Sequence, residues 1–275
     1  MGPELQDWLN HPAVQGGIAP FVVALIVAEL FQRMRLSGLA IIAGFAVTVY
    51  LVSDFSIEPL TAARKIVLLG LLSAGLALPL TLLNPRWLRP LLSVAGGGAA
   101  VWVVLRILQQ QEMSAILLRG TGCALYVGWL VYWFDSLSDS SSRAGNAGMA
   151  LGLGSGVAAL FGASALLGQF GMALGAAAGA YLLIQILTNS PLPCGRSYTL
   201  PLSLIAGLSG CLAVLTAELP WYVLPVLAVI PVVAKIPLPA KQGLWLQSAL
   251  LSAATLTCAA GAVYLTWRVA GAPPL

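Results

Sequence analysis

The sequence predicts an all-α fold, a polytopic integral membrane bundle of about ten transmembrane helices, and three observations carry that prediction. Residues are 59% hydrophobic and 8% charged, against roughly 25% charged in an ordinary soluble domain, so no soluble core could hide the apolar surface. Apolar runs of bilayer-spanning length recur from one end of the chain to the other. The longest, 146–188, holds no charged side chain and only Gln169 and Gln185 as strongly polar residues between its ends. As one helix it would measure about 65 Å, twice the hydrocarbon thickness of a bilayer, so it must cross, turn and cross again.

Taken in order, the spans are predicted at 12–32, 37–53, 65–83, 90–108, 114–134, 146–167, 169–188, 199–217, 219–236 and 244–267. The breaks carry charged or strongly polar residues, several with Pro, Gly or Asn beside them, as at Arg33-Met34-Arg35, Asn84-Pro85-Arg86, Gln109 to Glu112, Asn189 to Ser197 and Pro237 to Gly243. Before the first span, Leu5, Trp8 and Leu9 fall on one helical face after Pro3, and residues 3–10 read as a short helix on the membrane surface. Trp87, Trp133, Trp221, Trp245 and Trp267 stand near span ends, where amphipathic indoles prefer to sit.

Two breaks, Gly168-Gln169 and Glu218-Leu219-Pro220, are weak, and the distribution of cations tests them. With ten spans, one side receives Arg33, Arg35, Arg86, Arg89, Arg143, Arg196, Lys235 and Lys241, and the other Arg64, Lys65, Arg106, Arg119 and Arg268, eight against five. If 146–188 were a single span, the later loops would change sides and the split would be six against seven, no bias at all. The bias therefore favours ten. It also predicts both termini on the non-cytoplasmic side, as in a protein of a bacterial inner (plasma) membrane, with Glu58, Glu112 and Glu218 in outer loops. The first 15 residues carry Glu4 and Asp7 but no Lys or Arg; they lack the basic region of a cleavable signal peptide and are expected to stay.

The chain reads as a single transmembrane domain over 1–275. The polar stretch 136–145 divides the spans five and five, which allows two halves, 1–135 and 146–275, inverted relative to each other as in many transporters. No residue pattern is shared between them, and an ordinary cytoplasmic loop explains the stretch equally. Gly148, Gly152 and Gly156, and on the next helix Gly171, Gly175 and Gly179, lie four apart and form ridges for close helix packing, static or mobile. Gly96-Gly97-Gly98 would weaken a helix, and a kink there is one expectation.

The inventory of reactive groups excludes much. His11 is the one histidine, which excludes a bis-histidine haem, a His-rich metal site and a Ser-His-Asp triad within the bilayer. There is no acidic cluster for metal-dependent transfer, no phosphate-binding Gly loop and no C-x-x-C pair among Cys123, Cys194, Cys211 and Cys258. The net charge of +4 comes from 13 Lys and Arg at the ends of apolar runs, singly or in pairs, an orientation signal and no nucleic-acid patch. No metal, no cofactor and no enzymatic activity are expected.

Glu29 is the one acidic residue inside a predicted span, a candidate proton or cation site or, with Arg33 at i+4, a helix ion pair. In span ten Ser248, Ser252 and Thr255 form a polar stripe that either lines a hydrophilic path or bonds neighbouring helices. Ser203 adds one hydroxyl in span eight, and Pro220, Pro225 and Pro231 bend or break span nine, freeing carbonyls that can coordinate an ion. Arg64, Lys65 and Arg119 are candidates for an outer vestibule, Arg119 being equally able to snorkel to the headgroups. Tyr126, Trp129, Tyr132, Trp133 and Phe134 gather at the end of span five as an interfacial belt or a grip for a ring or a lipid. Together these predict a multi-pass carrier or channel for a small solute or ion. The alternative is a non-catalytic subunit that anchors a larger membrane complex. The expected partners are the lipid bilayer, other membrane subunits or further copies of the chain, and no nucleic acid.

Overall fold

A computed structural model describes residues 8, 10–53, 55, 58–82, 87–162, 164–217, 219–238 and 243–270, and these form a helical bundle without a strand. Most of the expected surface helix 3–10 and the break residues Asp54, Asn84 to Arg86, Glu218 and Lys241 lie outside the described residues. The helices are α1 (Ala19–Phe31, continuing a π-helical turn Val14–Ile18), α2 (Ala40–Ser53, after a 3-10 turn Ser37–Leu39), α3 (Ala62–Leu82), α4 (Leu88–Leu108), α5 (Met113–Asp135), α6 (Ser141–Phe161), α7 (Ala165–Thr188), α8 (Gly195–Thr216), α9 (Val223–Val233) and α10 (Leu244–Ala270). Eight of the helical stretches are long and apolar enough to cross a membrane, and 37–53 and α9 are shorter. The protein is an all-helical membrane protein.

The surface shows the same character. Leu117, Leu118 and Leu125 of α5 are 64%, 77% and 68% exposed, which in water would form an apolar patch too large for a monomer and in lipid is the ordinary outer face. The interior is built from α6, α7 and α8, whose spanning windows are 72%, 67% and 83% buried. Around this trio, α1 and α2 lean on α7, α3 and α5 on α8, and α10 on α6.

Three boundaries differ from the sequence expectation. First, α6 starts at Ser141, inside the stretch expected to be a loop through Gly145, because its polar first turns have partners on other helices. Second, the turn of the hairpin lies at Gly162–Ser164 rather than Gly168-Gln169. Gly168 is helical and faces Leu160, so its lack of a side chain serves packing and does not end the helix. Third, the expected span 219–236 contains only 11 helical residues, about 16 Å, since Pro220 precedes the helix, Pro225 occupies its first turn and Pro231 lies within it. The segment nevertheless runs the length of α6: the Leu219 amide nitrogen lies where a β-carbon on Gly162 would be 3.2 Å from it, and the Ala234 carbonyl accepts from Arg143 at 2.7 Å.

In the α6–α7 hairpin, a β-carbon on Gly152 would collide with the Gly175 amide nitrogen, and one on Gly156 would lie 2.5 Å from that of Met172. Only glycine permits this approach, which supplies dispersion contacts where lipid provides no hydrophobic drive. Gly171 faces Gly156, Gly179 lies looser beside Met149, and Gly148 faces α8 instead. By contrast α4 passes unbroken through Gly96, Gly97 and Gly98, the first two pressed on Val131 and the Ala124 carbonyl of α5. The end of α7 is capped by Asn189 in the left-handed conformation, φ 47°, a common device where Gly is absent.

Candidate functional site

Polar side chains inside the bundle concentrate in the first two turns of α6 and on the helices that face them. Asn146 is fully buried; its amide donates to the Ser142 carbonyl at 2.8 Å, and its carbonyl oxygen accepts from the Ser252 hydroxyl. One turn nearer the helix start, the Ser142 and Ser248 hydroxyls are 3.1 Å apart. Thr255, the third member of the α10 stripe, donates to its own Leu251 carbonyl at 2.8 Å. Thus Ser248 and Ser252 are joined to α6, and the stripe is an interhelical connection.

On the other side of α6 stand Gln185 of α7 and Tyr198 of α8, both completely buried. A β-carbon at Gly145 would lie 3.6 Å from the Gln185 Nε2, and one at Gly148 would lie 2.6 Å from the Tyr198 hydroxyl. The glycines therefore leave room for these polar tips one turn apart along α6. Gln185 Nε2 donates to the Tyr181 carbonyl at 3.4 Å, but its Oε1 and the Tyr198 hydroxyl have no partner among the described residues. Unsatisfied buried groups of this kind carry a desolvation penalty of about 1–3 kcal/mol each. Tyr181 stacks against Tyr198 with ring centroids 4.7 Å apart, and its hydroxyl donates to the Leu192 carbonyl at 3.0 Å.

Leu192 belongs to the wall of an open pocket of about 340 Å³, lined also by Arg35, Ser138, Asp139, Ser141 and Cys194. Ser37 ties this wall to the start of α2 by donating to the Pro193 carbonyl at 2.7 Å. Burial pushes the Cys194 thiol well above its usual range, with the Asp139 carboxylate adding to the rise against a partial offset from Tyr181. A polar trail thus leads from the pocket past Tyr181 to Tyr198 and Gln185, about 10 Å along α6. Farther on, α6 and α7 meet at the Gly152 to Gly175 contact, and the trail stops. At the opposite end a separate group, Gln15, Gln169 and Thr48, is internally bonded: Gln169 donates to Gln15 at 3.3 Å and Thr48 to the Gln15 carbonyl at 2.7 Å.

The same end of the bundle as the pocket holds a second polar centre. Asp135, 3% exposed, accepts from Arg196 at 2.8 Å and from Arg89 at 3.1 Å, and Arg196 also donates to the Leu80 carbonyl at 2.8 Å. This clamp joins α3, α4, α5 and α8. Its Leu80 acceptor is one of the last carbonyls of α3, which lack an intrahelical partner.

The other residues singled out in the sequence are dispersed. Glu29 is exposed on the outer face of α1 and forms no ion pair with Arg33. Ser203 is buried, and its hydroxyl donates to the Thr199 carbonyl of its own helix at 2.7 Å. Pro225 is exposed. Arg64 donates to the Pro59 carbonyl at 2.9 Å, whereas Lys65 is buried, donates to the Trp102 carbonyl at 2.9 Å and lies 4.6 Å from the centroid of that indole. Arg119 is exposed on the face of α5 that carries Leu117 and Leu118, in position to snorkel. Sequence reasoning missed Asn146, which opened a charge-free run, Asp135, which looked like a loop residue, and Tyr198. The signal for Asn146 was available: a buried polar stripe on α10 requires a polar counterpart on some other helix.

Fold and interior define a multi-pass helical membrane protein with an open pocket at its cation-rich end, lined by Arg35 and Asp139 among others, and neutral polar side chains buried behind its wall. Compared with known proteins, the chain matches no family model, and no curated protein is similar to it in sequence.

Proposed function

We propose that the protein is a carrier or channel for a small solute, with the cation-rich end facing the cytoplasm and both termini on the other side. The observation that carries this reading is that two of the six buried polar side-chain atoms without a partner among the described residues, Gln185 Oε1 and Tyr198 Oη, belong to side chains adjoining Tyr181, whose hydroxyl bonds the pocket wall at Leu192. Polar capacity inside lipid is retained at a penalty, and a function that uses it is the physical reason to keep it. The side chains at the deep end of the trail, Gln185 and Tyr198, are neutral, so the favoured cargo is uncharged and hydrogen-bonding. The close glycine contact beyond them favours a state open to one side only. The site is assigned binding and no covalent chemistry.

Accessibility and flux together test the reading. With the four native cysteines replaced by serine, Gln185→Cys in sealed vesicles should react with a small membrane-impermeant thiosulfonate from the cation-rich side. Thr266→Cys, buried near the other end of α10, should not react from that side. In vesicles reconstituted with the full chain, efflux screened over small polar non-electrolytes should identify a permeant whose passage falls at least about tenfold in Tyr198→Phe or Gln185→Leu, the equivalent of one lost hydrogen bond. No permeant, together with a stoichiometric partner after purification in gentle detergent, would reject the carrier and select the anchoring subunit.

A further inference from the structure

The lipid-facing side of α4 and α5 carries a groove that the solute reading does not use. It encloses about 540 Å³ between the two helices, with Val94, Gly97, Gly98 and Val101 on one side and Leu125 and Gly128 on the other. Its depth comes from missing side chains. Gly97 rests on the Ala124 carbonyl and Ser93 donates to the Gly128 carbonyl at 2.8 Å, so the helices touch at the floor, while a β-carbon on Gly98 would meet nothing within 4 Å. From Ser93 to Val101 the groove rises about 12 Å, close to the hydrocarbon depth of one leaflet, about 15 Å.

At its cation-rich end the groove closes on Trp129 and Tyr132, and there the chemistry changes. Arg89 lies over the Tyr132 ring at 5.8 Å, Lys235 over the Trp133 ring at 4.6 Å, and Trp133 is in edge contact with Tyr132 and tilted against Trp129. Arg143 reaches the same corner, donating to the carbonyl of Ala234 next to Lys235. Among the described residues the carboxylate in ion-pair contact with this group of cations is Asp135, which is already shared by Arg196 and Arg89. Lys235 has no carboxylate within ion-pair distance among the described residues.

We infer that this surface is a binding site for one anionic glycerophospholipid, with an acyl chain in the α4–α5 groove and the phosphodiester held between Arg89 and Lys235. Charge complementarity selects the occupant: an apolar trough one leaflet deep that ends in uncompensated cations at headgroup level fits an acidic lipid, and a zwitterionic one gains less there. Trp129 and Tyr132 belong to both parts, lining the trough while their neighbours Trp133 and Arg89 bind charge. The site is separate from the pocket by Cys194 and does not depend on the protein's being a carrier.

The test uses the full chain in nanodiscs containing equal amounts of phosphatidylglycerol and phosphatidylcholine, with retained lipid read by native mass spectrometry. The native chain should retain phosphatidylglycerol in preference. Lys235→Gln should lower that preference about fivefold, the effect of one cation near the headgroups. Gly98→Leu, which fills the trough without touching the α5 contact, should reduce retention of both lipids. Equal retention of the two lipids by the native chain, or a preference that survives Lys235→Gln, overturns the proposal, and unchanged retention in Gly98→Leu overturns the groove as the acyl seat.

Discussion

Replacing Asp135 by Asn tests whether the four-helix clamp at the cation-rich end holds the bundle together. The substitution keeps the shape and removes the charge that Arg196 faces at 2.8 Å and Arg89 at 3.1 Å. The two arginines contribute unequally. The Arg196 side chain is 8% exposed, so removal of its counter-charge strands a buried guanidinium and costs roughly 3–5 kcal/mol. The Arg89 side chain is 38% exposed and recovers solvent or lipid phosphate, which leaves its share near the surface value of about 0–1 kcal/mol. For a chain of this size each kcal/mol moves the midpoint by about 2–4 °C, so thermal unfolding followed by tryptophan fluorescence should show a fall of roughly 6–24 °C. Arg196→Gln in the Asp135→Asn background should add much less than it does alone, because the partners act as a unit. A midpoint within about 2 °C of the native chain, or strictly additive single substitutions, would refute the clamp.

Other perturbations separate packing from polar contacts. Gly152→Ala should lower the midpoint by several degrees, because the new methyl meets the Gly175 backbone and not a flexible side chain. Gly75→Ala and Gly261→Ala, whose β-carbons would meet nothing within 4 Å, should be neutral or slightly stabilising in the same melts, since Ala is the better helix former. Asn146→Ala removes the acceptor for Ser252 and should cost about 0.6–2 kcal/mol, read as a midpoint shift; an unchanged midpoint would mean that α6 and α10 do not depend on it. Cys194, buried and with its thiol held up, should label with a maleimide at pH 7 far more slowly than a cysteine introduced by Ser140→Cys in the exposed turn at the same end, and equal rates would contradict that burial.

The membrane class and the positions of most helices were legible because each depends on some twenty consecutive apolar residues, a local property. What local pattern misjudged was polarity whose partner is distant. Ser141, Ser142 and Arg143 read as loop, yet Ser142 meets Ser248 and Arg143 the Ala234 carbonyl, 106 and 91 residues away. Asp135 read as a loop residue beside Ser136, although the arginines that make its burial tolerable are 46 and 61 residues away. Glu29 drew attention for the opposite reason: depth along a span was legible, whereas the face of the helix it occupies was not, since α1 is apolar on nearly every side.

The distinction between the site and mere packing follows from the same accounting of partners. In hydrocarbon, each polar side chain must find another, so a polar stripe answered by a second stripe is structural, as Ser248 and Ser252 are by Ser142 and Asn146. Ser203 is answered by its own helix, and Thr255 by its own helix and, at 3.5 Å, by the Asn146 carbonyl of α6. Gln185 and Tyr198 retain an oxygen each that nothing in the described chain answers, although Gly145 and Gly148 opposite leave room for these tips. A β-carbon at Gly148 would lie 2.6 Å from the Tyr198 hydroxyl and displace it, whereas one at Gly145 would stand in ordinary contact, 3.6 Å from Gln185 Nε2. That both oxygens persist in the most buried trio of helices is what ties recognition of a solute to α6, α7 and α8, rather than to the charged residues at the bundle's ends.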